Sequence, residues 1–319
     1  MKKIFMFCSL LVCSLLFLLS GCGNTQTAAD TPKPYKIGVL RIDDSLPLYL
    51  AEKEQLFKKA GVPVKIIEFN SAIDQRKAME AGELDGMMTD MIVTGLLKKG
   101  GNDVRIVATA LGADKTEGRF LVVSAPNSSL KTARDLPKGN VAIAKNTMME
   151  YLLEQYETEL HLPKNRIKTI QLPNLSLRLN AVLAGKDVQA AILPDPLAAF
   201  AVRQGAHILI DDTKLKENYS QSVIILTQTM ITNHRQDVTK FLTAYNTAIA
   251  HINQNPAAYR NLALQKANIP KSLAASYKVP AFTEKSVPAK ENVQRVMNWM
   301  VSKHLLEKPY TYDEFVLPQ

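Results

Sequence analysis

Residues 36–69 read KIGVLRIDDSLPLYLAEKEQLFKKAGVPVKIIEF, and this stretch contains the first unit of an alternation of strands and helices that continues along the chain. The short apolar run at 36–40 predicts a buried strand. Residues 48–61 show the three-and-four spacing of an amphipathic helix that ends at Gly61. Residues 62–69 predict a second strand. A strand, a helix and a strand in this order form a βαβ unit, so we expect a largely parallel sheet covered by helices.

The same alternation continues in two series. In the first, helices are predicted at 73–83 and 91–100, and strands at 84–89 and 104–111. The second series has predicted strands at 119–126, 140–145, 167–172, 188–193 and 206–210, with helices between them at 129–136, 148–160, 175–185 and 196–205. Both series contain an A-x-x-A-G frame, at 78–82 and at 181–185, followed by a strand, an Asp and a helix. This shared order predicts two related α/β lobes.

The chain is predicted to cross between the lobes twice. Residues 222–228 predict a strand that returns from the second lobe, and residues from about 234 onward are mostly helical. We therefore assign 35–122 and 222–319 to lobe 1 and 123–221 to lobe 2. Two crossings, near 119–125 and 221–229, form a hinge about which the lobes can close on a ligand.

The N-terminus has the features of a signal peptide. Lys2 and Lys3 precede an apolar run at 4–19, which is shorter than the roughly 20 residues of a spanning helix and ends in small residues. Residues 19–22, Leu-Ser-Gly-Cys, resemble the lipobox of bacterial lipoproteins, which implies cleavage after residue 21 and lipidation of Cys22. Residues 1–21 are then the signal peptide and 22–34 the lipidated cysteine and a flexible tether. An uncleaved N-terminal anchor is the alternative.

Composition and motifs argue against several classes of protein. The chain has 319 residues and a formal net charge of +9, but no run of Lys or Arg exceeds two residues, which argues against a nucleic-acid groove. It contains no HExxH, Walker A, GxSxG or GxGxxG motif. Its three cysteines all precede residue 23, and its five histidines are scattered singly. We therefore predict no catalytic residue, metal or cofactor.

Polar residues at four strand-to-helix turns are the candidate ligand-binding site. In a parallel α/β sheet, ligands bind beyond the carboxyl ends of the strands, where helix N-termini offer free N–H groups. With Arg119 at the presumed hinge, the predicted site residues are Asp43, Asp44, Ser45, Thr89, Asp90, Arg119, Asn146, Thr147 and Asp195. If the lobes face each other, all four turns meet across one cleft. The alternative is that these residues only cap helices.

The charges of the four turns favour a particular ligand. Several carboxylates would repel an anion, and a single arginine could hardly offset that repulsion, so we predict a neutral or amine-bearing solute such as an aminopyrimidine. In this interpretation Asp90 or Asp195 accepts N–H donors of the ligand, while Asn146 and Thr147 orient it. The alternative is that the carboxylates cap their helices and point away, which leaves backbone N–H groups for an oxyanion.

Four segments carry a family resemblance. They are residues 45–69, which belong to the stretch quoted above, AMEAGELDGMMTD at 78–90, AIAKNTMMEYLLE at 142–154 and AAILPDPLAAFAVRQGAHIL at 190–209. They resemble the substrate-binding proteins of nitrate, taurine and alkanesulfonate ABC importers, which include the NMT1/THI5-like group. The resemblance extends from about residue 35 to about residue 250, and none of its motifs specifies a ligand.

The resemblance implies a type II periplasmic-binding fold that captures a small solute and delivers it to a permease with a cytoplasmic ATPase. The lipobox at 19–22 agrees with this and implies a lipid anchor at the extracytoplasmic face of the cell membrane. We also expect a monomer. Some eukaryotic relatives make a pyrimidine at a cysteine-rich iron site, which this chain lacks. Two alternatives stay open: an enzyme on the same bilobed fold, and a sensory ectodomain.

Overall fold

The first βαβ unit forms as the sequence predicts in the computed structural model, which describes residues 33–163, 166–269 and 271–318. Strand Tyr35–Leu40 pairs in parallel with strand Val64–Phe69. The helix predicted at 48–61 begins earlier and is divided into Leu46–Lys53 and Leu56–Lys59. The division lies at Gln55, which adopts the left-handed conformation at φ 57° and so interrupts the helical backbone.

The described residues form two five-stranded sheets. The strands are β1 Tyr35–Leu40, β2 Val64–Phe69, β3 Gly86–Asp90, β4 Val104–Leu111, β5 Phe120–Ser124, β6 Asn140–Ile143, β7 Lys168–Gln171, β8 Ala190–Pro194, β9 His207–Asp211 and β10 Ser222–Thr227. The first sheet has the order β2-β1-β3-β10-β4, and the second has the order β7-β6-β8-β5-β9.

Both sheets are mostly parallel and share one topology. In the first sheet β10 is antiparallel to both of its neighbours, and in the second sheet β5 is. Each antiparallel strand is the first strand that follows a crossover from the other lobe. Strand β10 lies between β3 and β4, and strand β5 lies between β8 and β9, which are the third and fourth of the remaining strands in each sheet. This identity of order and direction agrees with the internal repeat in the sequence.

Two segments connect the sheets, 112–119 between β4 and β5 and 212–221 between β9 and β10. Strand β5 spans the boundary predicted between residues 122 and 123 and lies wholly in the second sheet, so the first crossover precedes Phe120. The two crossovers contact each other. The carbonyl oxygen of Gly112 accepts hydrogen bonds from Asn218 Nδ2 at 2.6 Å and from Gln221 Nε2 at 3.2 Å.

Helices cover the sheets and form the C-terminal region. They are α1 Leu46–Lys53, α2 Leu56–Lys59, α3 Ala72–Glu80, α4 Met91–Lys99, α5 Met148–Glu159, α6 Leu175–Ala184, α7 Leu197–Arg203, α8 Gln228–Asn233, α9 Arg235–Gln254, α10 Pro256–Lys266, α11 Lys290–Ser302 and α12 Tyr312–Phe315. The helix predicted at 129–136 forms only a 3₁₀ segment, Ala133–Lys138, because Pro137 lies within it and lacks the N–H that an α-helix needs.

The C-terminal helix α11 contacts both lobes. Its buried face, which includes Val296 and Met300, packs in the same hydrophobic cluster as α4 of the first lobe. On the second lobe, Trp299 Nε1 donates a hydrogen bond of 2.8 Å to Glu154 Oε2, and Arg295 Nη2 lies 2.8 Å from Glu217 Oε2. The C-terminal region is therefore helical as predicted, and it also joins the lobes.

Strands β3 and β8 lie inside their sheets, and every residue of both strands is buried. A strand covered by helices on both faces shows an almost continuous apolar run rather than alternation, which explains the runs recognised in the sequence. Within the described residues, no helix has the length and apolar character that crossing a bilayer requires.

Candidate functional site

A cavity of about 690 Å³ lies between the two lobes, both of which contribute to its wall. The first lobe contributes Asp43, Asp44 and Leu111 together with a loop at 273–281. The second lobe contributes residues of β9 and α7, and the first crossover contributes 116–119. Cavities of a few hundred to about 1,000 Å³ accommodate small organic molecules. The cavity is therefore the candidate site.

Asp43 and Asp44 lie at the inner wall of this cavity. A 3₁₀ turn, Asp43–Ser45, begins three residues after β1 ends, and in it Asp43 and Asp44 are only 2% and 4% exposed. Burial raises the pKa of Asp43 well above its usual range, although the hydroxyl of Tyr277 donates a hydrogen bond to Asp43 Oδ2 and opposes this effect. The backbone N–H of Asp43 also donates to the carbonyl oxygen of Asp195 at 3.3 Å, which joins the lobes.

Arg119 and Asp195 form an ion pair at the second lobe's side of the cavity. The antiparallel pairing of β5 with β8 matches Phe120 with Pro194 and so brings the two side chains together. Arg119 Nε donates to Asp195 Oδ2 at 2.8 Å, and Ala199 N donates to Oδ1 at 2.9 Å. Burial raises the pKa of Asp195, and the Arg119 guanidinium opposes it. Both carboxylate oxygens thus have protein donors.

Asp90 joins the lobes at a second place. It ends β3, and its Oδ1 accepts a hydrogen bond of 2.8 Å from Val93 N, which caps α4. Its Oδ2 accepts from Met148 N of the second lobe at 3.1 Å, at the start of α5. One carboxylate therefore caps two helices, one from each lobe. At this position the structure agrees with the capping alternative.

Asn146 and Thr147 are not among the residues that line the large cavity. They line a second cavity of about 70 Å³, together with Lys145 and Gln171 of the second lobe and residues of α3 and α4 from the first. Thr147 is the N-cap of α5, and its Oγ1 accepts from Met149 N at 3.3 Å. Asn146 adopts the left-handed conformation at φ 57°.

Ser45 and Thr89 line neither of these two cavities. Both are buried, and the hydroxyl oxygen of each has no hydrogen-bond partner among the described residues. The four turns therefore do not all line one cavity, although the sequence predicts that they meet across one cleft. The turns meet across the lobes in pairs, Asp43 with Asp195 and Asp90 with Met148, and only the first pair lines the large cavity.

The sequence interpretation missed several lining residues, of which Tyr277 and Glu117 are the most buried polar ones. Tyr277 belongs to the loop at 273–281, and Glu117 belongs to the first crossover. Glu117 Oε2 accepts from Ala113 N at 2.8 Å, and its Oε1 accepts from the hydroxyl of Thr283. Prolines in the C-terminal region indicate loops, but a loop has no periodicity that tells which cavity it lines.

The described residues contain no group of three or more His, Cys, Asp or Glu side chains that could hold a metal ion. None of the five histidines lines either cavity; His251, for example, lies 2.7 Å from Glu54. Cys22, the predicted lipidation site, lies outside the described residues, as do the signal peptide and most of the tether.

Comparison with known proteins shows what this arrangement is similar to. The periplasmic aliphatic sulphonate binding protein SsuA of Escherichia coli superposes with a TM-score of 0.73 over 90% of this chain and 92% of its own, at 22% identity. The periplasmic nitrate-binding protein NrtA of Synechocystis PCC 6803 superposes with a TM-score of 0.72 over 88% of this chain and 83% of its own, at 14% identity. These likenesses show a periplasmic-binding-protein fold.

Sequence comparison extends the same result. A protein of Bacillus subtilis (strain 168) described as aliphatic sulfonates-binding is 24% identical over 247 residues, which are 74% of this chain and 71% of that protein. The sequence model of the NMT1-like family matches residues 28–265, a span that contains both sheets and both crossovers. Since this match covers most of the sequence, the chain belongs to the NMT1-like family.

Proposed function

We propose that the protein is the solute-binding component of an ABC importer, which captures a small organic solute between its lobes and delivers it to a permease with a cytoplasmic ATPase. The observation that carries this proposal is the cavity of about 690 Å³, whose wall includes buried polar side chains from both lobes. The related proteins named for binding sulfonates and nitrate have the same fold and support the same role.

The contacts between the lobes indicate how capture works. Within the described part of the chain, the crossovers 112–119 and 212–221 connect the sheets covalently. Asp90, Asp43 and the helix α11 join the lobes through hydrogen bonds. These non-covalent contacts can break and re-form as the lobes rotate about the crossovers. A solute that contacts both lobes then favours the closed arrangement.

Binding and closure are tested together. A thermal-shift screen of small metabolites against the full chain in mild detergent is expected to find a ligand that raises the unfolding temperature. Asp90→Asn should bind that ligand about tenfold more weakly, because an amide has one acceptor oxygen and can satisfy Val93 N or Met148 N, but not both. Small-angle scattering should show a larger radius of gyration for the ligand-free variant than for the parent.

The matched control is Asp74→Asn, which changes a carboxylate that bonds only within the first lobe, to Ser71 Oγ at 2.7 Å. It should leave the affinity and the radius of gyration unchanged. A radius that does not fall when the parent is saturated with ligand would contradict closure. Conversion of the ligand into a product would favour the enzyme alternative, since an importer's binding protein releases its solute unchanged.

We further propose that Cys22 carries the lipid that holds the protein at the membrane. The support is the sequence Leu-Ser-Gly-Cys at 19–22, at the C-terminal end of a short apolar run. Cys22→Ala should leave a form that is uncleaved or released into the medium, and metabolic labelling with a radioactive fatty acid should fail. Cys13→Ala, within the apolar run, is the control and should be labelled and cleaved as the parent is. Labelling of Cys22→Ala would contradict the proposal.

A further inference from the structure

Helix α11 is attached to the first lobe by an apolar face. Met297 and Met300 on this face are fully buried and belong to the same hydrophobic cluster as residues of α4. The two helices approach closely at Gly95 of α4, where a Cβ atom would lie 2.8 Å from Met300 Sδ. Separating them would expose apolar surface to water, which is unfavourable. Helix α11 therefore moves with the first lobe when the lobes rotate.

The contact between α11 and helix α5 of the second lobe is mainly ionic. Glu154 of α5 accepts a hydrogen bond of 2.8 Å from Trp299 Nε1 at its Oε2, and one of 2.7 Å from Lys303 Nζ at its Oε1. Lys303 directly follows α11, and its Nζ also lies 3.5 Å from Glu150 Oε1. The ring of Trp299 stands edge-on to Tyr151, with 5.4 Å between the ring centroids. Together these are the α11–α5 contact.

The charged side chains of the α11–α5 contact are partly exposed. The side chain of Glu154 is 31% exposed and that of Lys303 is 34% exposed. Water and salt therefore reach this ion pair, and its strength falls as the ionic strength rises. Breaking it leaves the apolar face against α4 intact, so the contact can break and re-form repeatedly.

Helix α5 also carries another contact between the lobes. Its first residue, Met148, donates its backbone N–H to Asp90 Oδ2 at 3.1 Å. Glu154 lies further along the same helix, about 9 Å from Met148 in the direction of the helix axis. Because a helix of this length moves as one rigid body, a rotation that separates Met148 from Asp90 also displaces Glu154 from α11. The two contacts therefore break together.

Arg295 of α11 makes a different kind of contact, at the second crossover. Its Nη2 is 2.8 Å from Glu217 Oε2, and its guanidinium carbon lies 5.3 Å from the centroid of the Tyr219 ring. The lobes rotate about the crossovers, so atoms there move least. We expect this contact to persist in both arrangements of the lobes, which leaves the α11–α5 contact as the part of α11 that responds to rotation.

We propose that the α11–α5 contact is an ionic latch, which holds the two lobes together in the solute-free protein so that the ionic strength sets the fraction of open molecules. The proposal goes beyond the solute-binding function and rests on the closure proposed with it. The latch consists only of groups of the protein, so it acts whatever the charge of the solute. It is strongest at low ionic strength, where charges act over the longest distance.

Trp299 reports the state of the latch, because it is the single tryptophan of the chain and is only 7% exposed. Quenching of its fluorescence by acrylamide, a neutral quencher, is measured on the solute-free full chain in mild detergent. Raising NaCl from about 0.01 M to about 1 M shortens the screening length from about 30 Å to about 3 Å and should open the latch. The quenching constant should rise at least about twofold. The radius of gyration, from neutron scattering with contrast-matched detergent, should rise with it.

Glu154→Gln should open the latch without added salt. The amide oxygen of glutamine can still accept the Trp299 N–H, but the side chain has lost the charge that holds Lys303. At low salt the quenching constant of the variant should therefore be at least about twofold above that of the parent. The variant should also respond less to added salt than the parent does.

Glu68→Gln is the matched control. The Glu68 side chain is 30% exposed, close to the 31% of Glu154, and its carboxylate oxygens lie 3.0 Å from Arg41 Nη2 and 2.7 Å from Lys266 Nζ. All three residues of this ion-pair group belong to the first lobe, so the substitution removes a paired carboxylate without changing a contact between the lobes. It should follow the parent in quenching and in radius of gyration at both salt concentrations.

Two results would overturn the proposal. The first is a parent protein whose quenching and radius do not change with salt, and this comparison needs no variant to fold. The second is a Glu154→Gln variant that behaves as Glu68→Gln does. If Asp90→Asn raises the radius while Glu154→Gln does not, the latch is wrong and closure stands. Closure itself fails when a bound solute leaves the radius of the parent unchanged.

Discussion

Gly112→Ala should lower the free energy of unfolding by about 3 kcal/mol or more. Gly112 adopts φ +83°, where a side chain costs about 1–2 kcal/mol. Its Cβ would also overlap the backbone carbonyl oxygen of Ser220 and lie 3.3 Å from Gln221 Cα. Backbone atoms cannot rotate away as a side chain does, so the two crossovers would have to separate. Urea denaturation followed by the fluorescence of Trp299, the single tryptophan, measures the loss.

Gly101→Ala is the matched control for this substitution. Gly101 has a similar backbone conformation, φ +88°, but nothing lies within 4 Å of the position its Cβ would take. Gly101→Ala should lower the free energy of unfolding by only about 1 kcal/mol, which is the cost of placing a side chain at a positive φ. The difference between the variants then measures the contact between the crossovers. Equal losses would show that the crossovers are not packed against each other at Gly112.

Asp212→Asn should raise the free energy of unfolding at pH 8 by as much as about 4 kcal/mol. Near pH 4 the same substitution should change the free energy of unfolding little. Asp212 follows β9, and its Oδ1 accepts from Phe120 N at 3.0 Å while the Tyr156 hydroxyl lies 3.5 Å from Oδ2. Burial raises the pKa of Asp212 from 3.8 to about 7. Asparagine resembles the protonated carboxyl group, so it should keep the hydrogen bond from Phe120.

The direction of this pH dependence follows from proton binding. Between pH 4 and 7 the folded protein holds a proton on Asp212 that the unfolded chain has lost, so the free energy of unfolding falls as the pH rises. Above pH 7 the group is ionised in both states and the penalty is constant. Urea denaturation at pH 5 and at pH 8 should show a smaller decline for Asp212→Asn than for the parent.

The exposed Asp187→Asn removes the same charge in the same lobe and serves as the control. It should follow the parent at both pH values, because a solvated carboxylate has similar surroundings in the folded and unfolded chain. A stability difference between Asp212→Asn and the parent that is equal at pH 5 and pH 8 would contradict the assignment.

Some of the predicted ligand residues line the large cavity, and others cap helices instead. Asp43, Asp44, Arg119 and Asp195 were predicted and do line the large cavity. Asp90 and Thr147 were predicted by the same rule, yet each has a capping role at a helix N-terminus. A side chain that caps a helix and one that faces a ligand occupy the same position in the sequence, because both follow a strand and precede a helix.

The sequence by itself determined the architecture: the strands, most of the helices, their repeated order and the helical C-terminal region. These follow from periodicity and from the residues at helix ends, which act over a few neighbouring positions. Short-range rules missed the break at Gln55, since the Glu and Lys residues around it are favourable in helices.

Only the tertiary structure decided which polar groups meet. It placed Tyr277 against Asp43, more than 200 residues earlier in the chain, and brought Gly112 against Ser220. Among the residues that the structure describes, it also left Asp43 Oδ1 without a hydrogen-bond partner while supplying donors to Asp90 and Asp195. The physical reason is that hydrogen bonds and charges act over a few ångströms in space, whereas a sequence pattern records only neighbours along the chain.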